Sequence, residues 1–231
     1  MRVLGLLGGM SWESTTLYYQ HLNRMVRDRL GGQHSARLLI WSDDFAPIAA
    51  AQAAGDWEAL GDLLAKAARD LEGAGAQALM IGANTMHKLA PRIAAAVGIP
   101  LIHIADATAA ALKAAGVARP LLLATRFTME GDFYRGRLAE LGVEARVPDA
   151  NDRERLHSII YDELIQGRFE AASRAAVVAM TERAAAAGAD GVIFGCTEIG
   201  LLLTPDDVSL PVFDTTEIHA RAGVAFALDE A

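Results

Sequence analysis

The sequence holds one cysteine, Cys196. A lone thiol excludes an intrachain disulfide framework and suits a reducing compartment. Aromatic residues make up only 6% of the chain, so its cores must be built from aliphatic side chains and alanine. Basic residues are outnumbered, 21 Lys and Arg against 29 Asp and Glu, and the resulting charge of −8 argues against nucleic acid as a general partner. No apolar run approaches the ~18 residues that a bilayer span needs, so no membrane partner is expected. Met1-Arg2-Val3-Leu4 leads straight into a strand pattern without a signal peptide, and a cytoplasmic location is expected. The six histidines show no paired ligand spacing, so no metal is expected. A G-x-S-x-G elbow is also missing. Gly5-Leu6-Leu7-Gly8-Gly9 has neither the Gly-Lys-Ser/Thr ending of a phosphate loop nor the G-x-G-x-x-G spacing of a dinucleotide site. Its glycines are expected instead to let backbone N–H groups approach a small anion.

What is present is a regular alternation. Short apolar runs at 2–7, 36–41, 76–81, 100–104, 120–124, 143–147, 191–194 and 210–213 read as strands. Helical patterns separate them at 12–30, 56–72, 88–97, 106–115, 130–141, 151–166, 169–187 and 216–228. Ser11 is a candidate N-cap and Gly31-Gly32 a stop signal. Asp43-Asp44, after the second strand, reads as N-capping or solvated. Strands alternating with helices mean parallel sheets with crossovers.

The alternation contains a repeat. Met80-Ile81-Gly82-Ala83-Asn84-Thr85 parallels Phe194-Gly195-Cys196-Thr197-Glu198, with Ala83 at the place of Cys196. Leu6-Leu7-Gly8-Gly9 resembles Leu122-Leu123-Ala124-Thr125, and Pro100-Leu101-Ile102-His103 resembles Pro211-Val212-Phe213-Asp214. Three matches in one order at nearly constant offset predict two similar Rossmann-like α/β halves with parallel sheets, related by a pseudo-twofold, with the active site in a cleft between them. The boundaries expected are 1–103 plus 212–231 for one half and 104–211 for the other.

Cys196 closes an apolar run and precedes a polar turn. A thiol at the C-terminal end of a parallel strand, facing a helix N-terminus, is placed for chemistry, and the helix dipole would favour its thiolate. A small buried hydrophobe is the other reading of a lone cysteine. His87 follows Asn84-Thr85 closely, either beside a site or, the reading favoured here, as a helix-terminal histidine bonded to backbone. His103, at a strand end, reads as structural.

These residues carry a family resemblance. Gly8-Gly9-Met10-Ser11-Trp12-Glu13-Ser14-Thr15 with Tyr18-Tyr19 resembles the opening of the aspartate/glutamate racemase family. Asn84-Thr85-Met86-His87, Ala124-Thr125-Arg126-x-Thr128-Met129 and Gly195-Cys196-Thr197-Glu198-Ile199-Gly200 resemble its later motifs, in the family's order. The resemblance implies cofactor-independent α-proton transfer on aspartate or glutamate by two thiols on opposite faces of the substrate. It implies a homodimer. It also implies a substrate shell of Met10, Gln52, Asn84, Thr85, Thr125, Thr197 and Glu198. No motif brackets Gln52, for which a solvated helix position is an equal alternative. Arg126 and Lys88 are the nearest cations for a distal carboxylate.

One departure matters. Ala83 stands where the family usually has its first acid/base cysteine, and alanine has no exchangeable proton. Three readings stay open: a one-cysteine racemase, a one-face reaction such as the decarboxylation of a one-cysteine branch, or a substitution made to trap a ligand. The reading adopted is a racemase-type isomerase with Cys196 as acid/base. A one-cysteine decarboxylase or isomerase is the alternative, and a catalytically silent carboxylate-binding protein is a third.

Overall fold

The structure, a computed structural model, describes residues 1–229. The chain separates into two compact units: Met1–Ile104 with the segment from His219 onward, and Ala105–Ile218.

The first unit contains β1 (Leu4–Leu7), α1 (Trp12–Leu30), β2 (Leu38–Trp41), α2 (Phe45–Ala54), α3 (Trp57–Gly73), β3 (Ala78–Ile81), α4 (Ala90–Ala95) and β4 (Leu101–Ile102). Its four strands are all parallel, in the order β2-β1-β3-β4. Successive residues of the central strands enter different cores. Leu7, Leu79 and Ile81 pack with Leu60, Leu64 and Ile93, whereas Leu4, Leu6, Ala78 and Met80 pack with Tyr18, Leu22 and Val26. That period of two is what a sheet covered on both faces requires. Each fully buried leucine adds about 1.5–3 kcal/mol.

Local signals set the limits of α1. Ser11 accepts from the Ser14 N–H at its start, and Gly31, at φ +75°, ends it. Sequence reasoning missed α2, whose apolar residues show no clear one-sided face; Asp44 caps it by accepting from the Ala46 N–H at 3.1 Å, as the capping reading of the acidic pair expects. The helix expected over 88–97 is a 3-10 turn (Thr85–Leu89) followed by α4.

After α5 (Ile104–Ala114), the second unit contains β5 (Leu121–Leu123), α6 (Arg126–Glu130), α7 (Asp132–Glu140), α8 (Ala150–Ser158), α9 (Ala171–Ala186), β6 (Val192–Phe194), α10 (Ile199–Leu202) and β7 (Val212–Asp214); α11 (Thr215–Ala227) follows. The three strands are parallel in the order β5-β6-β7. The strand at 212–214, expected to fall with the first half, pairs with β6, and the chain returns to the first unit at His219. The helix expected over 130–141 is α7, and a short helix not expected, α6, precedes it; the two are separated at Gly131, where an added Cβ would lie 2.7 Å from the Phe127 carbonyl. The one expected over 151–166 runs from α8 into a π-turn (Ile159–Glu163) and a 3-10 turn (Leu164–Gln166).

The strand expected at 143–147 survives only as a single parallel bridge between Leu121 and Arg146. The Glu144 and Arg146 N–H groups do donate to the Ala118 and Pro120 carbonyls, at 2.8 Å each. Pro120 has no N–H to return, so the ladder cannot be completed there.

The repeat extends to the sheets. In each, the strand before the glycine motif (β3 or β6) is flanked on one side by the strand of the first matched pair and on the other by that of the last.

Candidate functional site

Each unit presents a loop at the C-terminal end of its central strands. In the first, the loop after β1 is formed by Gly8 to Ser11. Its glycines do not leave their N–H groups open to an anion, contrary to expectation: Gly8 N–H donates to the Trp41 carbonyl and Gly9 N–H to Thr15 Oγ1, both at 2.8 Å. Glycine is needed for close approach, since a Cβ on Gly8 would lie 2.7 Å from Thr15 Oγ1 and one on Gly9 2.6 Å from the Asp43 nitrogen. Met10, within this loop, is buried.

Gln52, on α2, is not a solvated position. It is 4% exposed, and its Oε1 has no hydrogen-bond partner among the described residues. The loop after β3 holds Ala83, Asn84 and Thr85, the last two both buried. The His87 Nδ1 meets the Ala83 carbonyl oxygen at 2.9 Å, so the backbone-bonded reading of this histidine holds.

In the second unit, β5 and β6 are in register from Leu121↔Val192 to Leu123↔Phe194, so Thr125 and Cys196 follow neighbouring strand ends. Thr125 stands at the N-terminal boundary of α6 and is buried. Cys196 Sγ and Thr197 Oγ1 both donate to Glu198 Oε2, at 2.8 Å and 2.7 Å. Glu198 is itself buried.

This corrects the expectation of a thiolate. The helix that follows, α10, is four residues long and offers little dipole. Burial of the sulfur pushes the Cys196 thiol well above its ordinary range, and the Glu198 charge and hydrogen bond push it further, with Asp214 adding to the effect. These effects favour the protonated thiol, held against the Glu198 side chain.

Two residues on α8 and the π-turn after it escaped sequence reasoning. Tyr161, on the π-turn, has its phenol pushed up to about 12, first by burial and then by the charges of Cys196 and Glu198. Its ring packs on His157 at 4.6 Å, and the His157 Nδ1 accepts from the Arg126 N–H at 3.4 Å. Burial, then the Arg126 charge, lowers the His157 pKa, favouring a neutral ring. The only sequence trace of this is Ile159-Ile160-Tyr161, which broadens the apolar face of an otherwise ordinary helix; π-turns of this kind often mark functional sites.

Of the two cations considered for a distal carboxylate, Lys88 lies over the Trp57 ring at 4.0 Å. Arg126 pairs with Glu154 at 3.1 Å across exposed surface. Among the described residues, no group of three or more His, Cys, Asp or Glu is arranged to hold a metal ion, and no helix is long and apolar enough to cross a membrane.

Comparison with known proteins gives the frame for these loops. A structure from Yersinia pestis described as a "putative Asp/Glu Racemase" is 50% identical, covers 99% of this chain and 100% of its own, and superposes with a TM-score of 0.93. An aspartate racemase homologue from Pyrococcus horikoshii is 35% identical over 99% of this chain and 100% of that one, with a TM-score of 0.86. The aspartate racemase of Picrophilus torridus, 21% identical over 98% and 94% of the two chains with a TM-score of 0.78, shares the fold. The family model for Asp/Glu/hydantoin racemases matches residues 7–223, and the chain belongs to that family.

Proposed function

We propose that the protein is a cofactor-independent isomerase that moves the α-proton of aspartate or glutamate, with Cys196 as its acid/base. The observation that carries this reading is the hydrogen bond from Cys196 Sγ to Glu198 Oε2, 2.8 Å, at the end of a central parallel strand. A thiol must lose its proton before it can act as a base, and Glu198 is in place to take it. In the first step the S–H bond breaks and a proton passes to Glu198 Oε2. The thiolate then takes the α-proton, and the C–H electron pair moves into the substrate carboxylate as an enediolate. Asn84, Thr85, Thr125 and Thr197 supply donors for that charge, with the Met10 backbone N–H. The buried, unpartnered Gln52 Oε1 is an acceptor suited to the substrate ammonium. Returning the proton from Cys196 restores the starting enantiomer. Inversion needs delivery from the opposite face; the family resemblance gives that role to position 83, where alanine has no proton to give, so water or a neighbouring hydroxyl must serve.

The test is proton NMR in deuterium oxide with each enantiomer of aspartate and glutamate. Loss of the α-proton signal supports the reading, and its persistence with every one of them defeats it. Ala83 also favours a second reading, a reaction that needs one face only, such as decarboxylation. Carbon dioxide release from a malonate-type diacid, without amino-acid exchange, would establish that instead. Ligand binding with neither reaction would leave a silent carboxylate-binding protein. We propose further that the chain works as a homodimer, as twofold assemblies commonly do; a monomer mass by light scattering at micromolar concentration would remove this.

A further inference from the structure

His87 is 1% exposed and bonded at both ring nitrogens. Nδ1 lies 2.9 Å from the Ala83 carbonyl oxygen, and the Ile104 N–H reaches Nε2 at 3.2 Å. A carbonyl can only accept and a backbone N–H can only donate, so Nδ1 carries the proton and Nε2 is the acceptor. The ring is thereby fixed in one neutral tautomer, between the loop after β3 and the residue that follows His103. The His103 ring at 4.7 Å and the His219 ring at 5.7 Å hold it from the sides. On the other side of Ala83, the Gly82 N–H is bonded to the Leu7 carbonyl at 2.8 Å. Residues 82 and 83 are thus pinned at both ends. That fixes where the Cβ of residue 83 points and where Asn84 and Thr85 begin.

We infer that His87 is a positioning residue: through its Nδ1–H it holds the Ala83 carbonyl and so sets the Asn84-Thr85 donors for the substrate carboxylate. The inference rests on the function proposed above. The two ring nitrogens can be replaced separately. In His87→Asn, an amide N–H falls near the Nδ1 position and the bond to Ala83 is kept. In His87→Gln, the amide reaches the Nε2 position and the bond to Ala83 is lost.

The experiment measures KM and kcat for α-proton exchange in both variants, with thermal unfolding alongside. His87→Asn should keep KM within about threefold of the wild type. His87→Gln should raise it about tenfold, with kcat little changed, the pattern of lost ground-state and transition-state binding together. Equal KM shifts in the two variants, tracking their loss of stability, would overturn the role, as would no shift in either. Should neither variant fold, imidazole 15N NMR of the wild type decides: saturating substrate should move the His87 Nδ1–H resonance, and an unmoved resonance counts against the inference. A wild type that neither binds nor exchanges these amino acids removes the proposed function and this role with it.

Discussion

Gly82 and Gly195 make the same hydrogen bond in the two units. Each N–H donates to the last carbonyl of the neighbouring strand, Leu7 at 2.8 Å and Leu123 at 2.7 Å. A side chain at either glycine would press on that strand, with Cβ 3.2 Å from the Leu7 oxygen in one case and 3.1 Å from the Leu123 oxygen in the other. The residues that follow, Ala83 and Cys196, therefore hold equivalent places.

This equivalence makes Ala83→Cys the informative substitution. With Cys196 alone, deuterium should enter one enantiomer faster than its configuration inverts. A positioned acid or base contributes ~10²–10⁴-fold, so Ala83→Cys should raise inversion toward the exchange rate by something of that order. Cys196→Ala should abolish both. Inversion in the wild type as fast as exchange, for both enantiomers, would show that another group already serves the second face.

Glu198 raises the thiol pKa and, in the proposed reaction, receives its proton, two effects that Glu198→Gln separates. Removing the charge should lower the Cys196 pKa, so alkylation by iodoacetamide at pH 7 should speed up while α-proton exchange slows by ~10²-fold or more. A bound dicarboxylic amino acid should protect the thiol in both proteins. Slower alkylation in the variant would contradict the geometry described.

The Arg126–Glu154 pair is exposed and contributes at most ~1 kcal/mol, so a substrate carboxylate can compete for the guanidinium. Arg126→Ala is expected to raise KM for aspartate or glutamate about tenfold without changing KM for a monocarboxylic amino acid. Lys88→Ala, which removes a cation already held over Trp57, should change neither. The opposite pattern would assign the distal carboxylate to Lys88.

Burial of His219 is expected to make stability depend on pH. It is fully buried, donates from Nε2 to the Ile102 carbonyl at 2.7 Å, and meets the Tyr18 hydroxyl at Nδ1, 2.8 Å away. Tyr18, His87 and His103 are the titratable groups packed around it. Burial is the main cause that lowers its pKa from 6.5 to about 4, opposed by the Ile102 hydrogen bond and aided by His103. The unfolded chain thus takes up a proton that the folded one refuses. This contribution to stability is complete above pH 6.5 and is lost as pH falls toward 4, about 3 kcal/mol in all. Urea unfolding at pH 7.5 and pH 5 should show the loss, and His219→Gln should flatten it. A wild type equally stable at both values would rule this out.

Much of the fold was legible because its signals are local. Buried parallel strands read as short apolar runs, and Ser11 and Gly31 mark both ends of α1. What was not legible depends on contacts distant in sequence. α2 buries only Ile48 and Gln52, too little to leave a periodic signature. The π-turn at Tyr161 lies within an ordinary helical pattern. At the site, the repeat pointed to Ala83 and Cys196 together, yet the protonation of Cys196 depends on where the Glu198 side chain turns, which no motif states.

The return of the chain at His219 has a consequence for biosynthesis. Ala220, Val224 and Ala227 belong to the same core as Leu4, Leu6 and Met80, and a Cβ on Gly223 would lie 2.6 Å from the Met80 sulfur. The ribosome makes the first sheet early, together with α1 on this face, and α11 only after the second unit. At ~5–20 residues/s the whole of 105–218 must be translated in between, a delay on the order of ten seconds. During that interval this face of the nascent sheet has α1 but not α11 packed on it, so the unit begun first is completed only after the second.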